Sequence, residues 1–132
     1  VPEDIGGSER MLGQWQQSIQ EKAERYQEMA TRVQGMTISE ASRDGSVRLT
    51  IGSNGILTHL EIAESAKDKR MAEVSAEVMR TLQRAQSRIP ELLQQAMAET
   101  IGTQDETANV LFDEAKRNFP APPHEDVPPP PA

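Results

Sequence analysis

Between residues 43 and 62 the chain reads RDGSVRLTIGSNGILTHLEI, alternating apolar and polar positions with a period of two, and on both sides it gives way to helical spacing. Three extended runs are predicted, at 36–42, 46–51 and 56–62. Asp44-Gly45 and Asn54-Gly55 separate them and supply the positive φ that tight hairpin turns need. Val47, Leu49 and Ile51 then point to one face of the middle strand, and Arg48 and Thr50 to the other. In the third run Ile56, Leu60 and Ile62 share a face. The expectation is an antiparallel meander with one side against helices and the other toward water or a partner.

Upstream, Leu12, Trp15, Ile19, Tyr26, Met29 and Val33 form a heptad seam with Lys22 in the one missing position. Ser8 is placed to cap a helix over 8–34, after a flexible lead-in at 1–7, and Gly35 closes it. Downstream, Asp68 is placed to cap a second helix. Its stripe of Met71, Val74, Val78, Leu82, Ala85, Ile89, Leu92 or Leu93, and Ala96 runs to about Gly102. Pro90 removes the hydrogen bond to the Gln86 carbonyl and predicts a kink there rather than an end, because the stripe continues. Thr103 with Glu106 reads as a capping box for a third helix to 119, with Ala108, Leu111, Phe112, Ala115 and Phe119 on one side. The last run, 120–132, PAPPHEDVPPPPA, reads as a disordered or polyproline tail.

The fold class is therefore α+β: a long helix, a three-stranded antiparallel meander, a long kinked helix and a short C-terminal helix. Residues 8–102 form the main unit, 103–119 an appended amphipathic helix. A helix of about 27 residues is roughly 40 Å long, whereas six-residue strands span roughly 20 Å. The seam along the overhang needs another helix, and a second copy of the chain supplies one. Trp15, in that seam, reads as core.

Composition narrows the function. Apolar residues make up 36% of the 132 and four residues are aromatic, a thin core for a monomer. There is no cysteine, two isolated histidines make no zinc site, and no run is a signal or membrane segment, so the chain reads as cytoplasmic. Net charge is −7, but residues 67–90 carry six basic against three acidic side chains, a basic segment inside an acidic chain. No paired carboxylates, nucleophile elbow or metal-binding motif is present, so neither enzyme, cofactor nor metal is expected. His59 reads as structural. With no aromatic sheet for bases, contact with a duplex backbone is the nucleic-acid mode that survives.

Arg80, Arg84 and Arg88, four apart, form a stripe about 12 Å long on the second helix, enough to reach two or three phosphates. The blander reading is a solvated face neutralised by Glu77 and Glu91. Lys67, Lys69 and Arg70 sit where a helix N-terminus could meet a phosphate, or where lysines simply keep a loop soluble. Arg43 and Arg48 lie on the meander, and Arg48 could add a contact or pair with Glu61 across strands.

GSVRLTIGSNGILTHLEI followed by MAEVSAEVMRTLQRAQSRI resembles the YbaB/EbfC family of bacterial nucleoid-associated proteins over about residues 10–100. Gly45, Val47, Gly55, Leu60-Glu61-Ile62 and Ala85 carry the likeness. The downstream helix and proline tail look like the actinobacterial branch, some of whose members are associated with type VII secretion. The resemblance implies an intertwined homodimer, shaped like tweezers, that binds duplex DNA with little sequence preference. The Gly/Met/Pro-rich end of better-known members is replaced here by an acidic helix and prolines. Two functions are expected. One is nucleoid-associated DNA binding, with Arg80, Arg84, Arg88, Arg48, Arg43, Lys69 and Arg70 on phosphates. The alternative is a protein adaptor or chaperone-like component that docks the apolar side of its third helix, with the tail, on a partner.

Overall fold

A computed structural model describes residues 2–121. The tail expected over 120–132 lies, from residue 122, outside the described residues.

The sheet is built on its middle strand. Val47, Leu49 and Ile51 of β2 (Val47–Gly52) are fully buried, while Arg48 between them is exposed. β1 (Thr37–Ala41) and β3 (Leu57–Ile62) flank β2 antiparallel in the order β1-β2-β3, the predicted meander. Only the glycine of each turn dipeptide takes a positive φ, +76° at Gly45 and +83° at Gly55, and no other residue type does so among the described residues. Asp44 instead anchors its loop, accepting hydrogen bonds from the Ser46 N–H and the Ser42 and Ser46 hydroxyls. A register shift beside Thr50 sets Leu57 opposite Ile51, so Leu57 takes the place on the inner face expected for Ile56. Leu57, Leu60 and Ile62 therefore share the inner face.

α1 (Pro2–Gly35) begins at a proline, which suits a first helical turn, six residues ahead of the Ser8 start expected. After β3 a 3₁₀ turn (Glu64–Asp68) takes up Asp68. α2 (Met71–Ser87) consequently starts after Arg70, with no side-chain cap. The chain bends at Arg88, and α3 (Ile89–Thr100) carries Pro90 in its first turn, where the missing N–H costs nothing. α4 (Glu106–Asn118) is capped by Asp105, which accepts from the Thr107 and Ala108 N–H groups, rather than by Thr103.

α2 lies across β1 and β2. Ala85 and Ile89 meet Ile38, Val47, Leu49 and Ile51, with Val78, Leu82, Leu92 and Phe119 packed around them. Thr81, buried among these, donates its hydroxyl to the Glu77 carbonyl and leaves nothing unsatisfied. α1 leans on α3 through its second half, where Tyr26, Met29 and Val33 are half-buried. Arg32 donates to Glu99 at 2.5 Å, and the Tyr26 hydroxyl to Asp105 at 2.5 Å. The same seam continues bare into the first half: Leu12, Trp15 and Ile19 are 48 to 63% exposed. Among the described residues of one chain Trp15 is thus surface, not core, because none of them covers it.

The apolar side of α4 is used inside the chain. Ala108 and Ala115 are buried, Leu111, Phe112 and Phe119 half-buried, and α4 packs on α3. Ala108 and Ala115 are thus closed off, while Phe112 and Phe119 keep part of their rings at the surface.

Candidate nucleic-acid interface

The three arginines of α2 meet different fates. In the β1–β2 ladder Ser42 and Val47 form a hydrogen-bonded pair, so strict alternation turns the carbonyls of Ser39 and Ala41 toward the free edge of β1. Arg84 Nη2 donates to the Ala41 carbonyl at 2.7 Å, and Arg88 Nη1 to the Ser39 carbonyl at 3.2 Å and to the Glu40 carboxylate at 3.3 Å. These two guanidiniums close the edge of β1 and hold α2 along it. Arg80 is half-exposed and paired with Glu77 at 2.9 Å. One helical turn separates Arg88 from Arg84 while their partners step from residue 39 to residue 41. The same step carries Arg80 past the end of β1, toward the β1–β2 loop that holds Arg43.

The junction before α2 comes to the same place. Lys69 pairs with Asp44 in the β1–β2 loop and approaches the Ser46 hydroxyl. The Lys69 ammonium, followed by the Ser46 N–H and the Ser46 and Ser42 hydroxyls, holds the Asp44 carboxyl well below the usual carboxylate range. Asp44 in turn raises Lys69. Lys69 is therefore a clasp between loop and helix, and it brings Lys67 and Arg70 to the loop that carries Arg43. Arg48 belongs to this end as well. It opposes Ala41, the last residue of β1, and Glu61, near the end of β3. Glu61 approaches His59 at 3.5 Å, and no ion pair or hydrogen bond holds the side chain of Arg48, Lys67 or Arg70 among the described residues.

Arg43, Arg48, Lys67, Arg70 and Arg80 thus form a cationic rim around the β1–β2 loop. Sequence spacing grouped the arginines of α2 with one another. The fold regroups Arg80 with cations from 10 positions away, at Arg70, to 37, at Arg43, and assigns Arg84 and Arg88 to the sheet edge. From the rim, the outer face of the sheet runs as an open groove of about 390 Å³, lined by Ser39, Thr50, Arg48 and His59, with Glu40 and Arg88 at its margin. Ser39 and Thr50 share a hydroxyl hydrogen bond at 2.9 Å. The surface is polar, holds its hydroxyls in place and offers guanidinium donors, the chemistry that recognises phosphate oxygens. The described residues include no cluster of three or more potential metal ligands and no helix long and apolar enough to cross a membrane.

The sheet's two edges differ. β1 is closed by Arg84 and Arg88, whereas no side chain caps the outer edge of β3 among the described residues. Its inner-face residues Leu57, Leu60 and Ile62 are 38 to 50% exposed. At about 100° per residue, Met71, Met79 and Gln86 fall on the flank of α2 away from the arginines, where Gln86 donates to the Gly55 carbonyl at 3.1 Å. Met71 and Met79 are exposed there.

The model of the YbaB/EbfC DNA-binding family matches residues 6–104, which include the whole rim and stop short of α4. A search among curated proteins found no match.

Proposed function

Because the chain belongs to the YbaB/EbfC DNA-binding family, we propose that it is a nucleoid-associated homodimer that grips duplex DNA through phosphate contacts, with little preference for sequence. The observation that carries this reading is the rim: cations from a loop, a strand and two helical segments converge at one end of the sheet in a chain that is acidic overall. Arg43, Arg48, Arg70 and Arg80 are the phosphate ligands, joined by Lys67. Lys69, Arg84 and Arg88 hold the rim in shape. Affinity then comes from counterion release, and register is free to slide. The second copy covers the bare seam of Leu12, Trp15 and Ile19 and the open side of β3, and doubles the number of cations presented to the duplex.

Fluorescence anisotropy with two unrelated duplexes over a range of salt concentrations tests this. Five phosphate contacts from each chain, ten per dimer, give a log–log slope near −9 at about 0.9 per phosphate. Replacing Arg48 and Arg70 with alanine removes four contacts per dimer and should reduce the slope by about 3 to 4, equally for both duplexes. A flat salt response, or an unchanged slope in the double variant, would place the contacts elsewhere.

A further inference from the structure

A second, apolar groove lies on another part of the surface. It is formed between the start of α3 and the end of α4, with a volume of about 400 Å³, and its walls include Pro90, Gln94, Phe112, Lys116 and Phe119. Half of this lining lies beyond the family-matched residues, in α4 and the segment after it. Pro120 and Ala121 also line it, so the chain leaves the described residues while running along the groove. Residues 122–132 read PPHEDVPPPPA, eleven residues of which six are proline.

Three observations match this segment to the groove. Proline-rich chain is already extended and stiff, so it loses little entropy on docking, and its rings pack on aromatic walls such as Phe112 and Phe119. A polyproline helix makes no internal hydrogen bonds, so its carbonyls suit a donor such as the Gln94 amide. Lys116 at the rim complements Glu125 and Asp126. Reach is no obstacle: eleven residues in a polyproline conformation extend about 34 Å, and the four residues HEDV are the length of one β-turn, enough to fold Pro128–Pro131 back over the groove. Because the segment is tethered at the groove's own edge, its local concentration is high and a weak contact suffices.

We propose that this groove is a polyproline-binding seat whose occupant is residues 122–132 of the same chain. Pro128–Pro131 lie against Phe112 and Phe119, and the two acidic residues lie beside Lys116. The seat is separate from the cationic rim and does not depend on DNA binding.

The chain has no cysteine, so Ala132→Cys in the full-length protein accepts a single nitroxide label. The expected result is strong, local broadening of the amide signals of Ser87, Glu91, Gln94 and Lys116, several-fold beyond that of β-sheet amides. Replacing all four prolines 128–131 with serine should abolish it. Broadening that is weak and uniform, or that survives the serine replacements, would overturn the proposal. The source of the tail is read by diluting isotope-labelled, spin-labelled chain into excess unlabelled chain. Broadening that persists supports the chain's own tail. If instead the groove is broadened only when a separate spin-labelled copy is added, the occupant comes from a second molecule and the assignment fails.

Discussion

Gly55 and Phe119 meet across 64 positions of sequence, and their contact can be weighed. A methyl group on Gly55 would lie 2.6 Å from Cε1 and 2.9 Å from Cζ of the Phe119 ring, on a backbone held at φ +83°. Gly55→Ala therefore meets two penalties. A left-handed conformation costs a non-glycine residue about 1–2 kcal/mol, and forcing extra volume into a packed site costs about 1–3 kcal/mol, so the substitution should destabilise by about 2–5 kcal/mol. Phe119→Ala by itself removes a half-buried ring. Full burial would make that loss about 3–5 kcal/mol, and partial exposure reduces it to roughly 2. In the Phe119→Ala background the clash disappears while the backbone strain remains, so Gly55→Ala should then cost only about 1–2 kcal/mol. The double variant is accordingly more stable than the sum of the singles by about 1–3 kcal/mol. Urea unfolding followed by circular dichroism measures all four proteins, at one chain concentration because association shifts apparent stability. An equal cost of Gly55→Ala in both backgrounds would refute the docking of Phe119 on the hairpin and, with it, the position of α4.

The same geometry sets other outcomes. Arg84→Ala and Arg88→Ala should lower stability, each by about 1 kcal/mol for the hydrogen bonds lost at the edge of β1, while the salt slope of DNA binding stays near that of the parent, as paired unfolding and anisotropy measurements would show. Trp15→Glu should shift the sedimentation coefficient toward that of a monomer, and in the parent the Trp15 emission should move to the red on dilution. Asp44 and Asp105 are lowered by Lys69 and Tyr26 respectively. Each contributes stability that is complete above an unfolded pKa of about 3.9 and is lost as pH falls through the folded value. The unfolding midpoint should stay level on their account from pH 7 to 5 and fall in more acid solution, with a shallower fall in Asp44→Asn.

The meander was legible because two signals agreed: strict alternation from Val47 to Ile51, and glycine at each point where the backbone needs a positive φ. The bend was legible because a proline lay inside an unbroken stripe. Helix starts were less so. Ser8 and Asp68 have good capping chemistry, yet the first lies inside α1 and the second was drawn into a 3₁₀ turn, since a side chain can cap only where the chain path allows a start. Ile56 was misassigned because periodicity assumes an unshifted ladder and the irregularity at Thr50 moved the pattern by one. For the cations the limit is deeper. Spacing on α2 groups Arg80, Arg84 and Arg88, but which guanidinium reaches a strand carbonyl depends on how α2 docks over β1, a relation between residues more than 40 positions apart.

A sheet closed along β1 by two guanidiniums can lengthen only from β3. Should two molecules join there about a twofold axis, each would turn its closed margin outward, and the enlarged sheet would have no vacant side on which a third could add. In such a pair Arg84 and Arg88 would act as chain terminators of assembly, setting a ceiling of two on a surface that would otherwise polymerise.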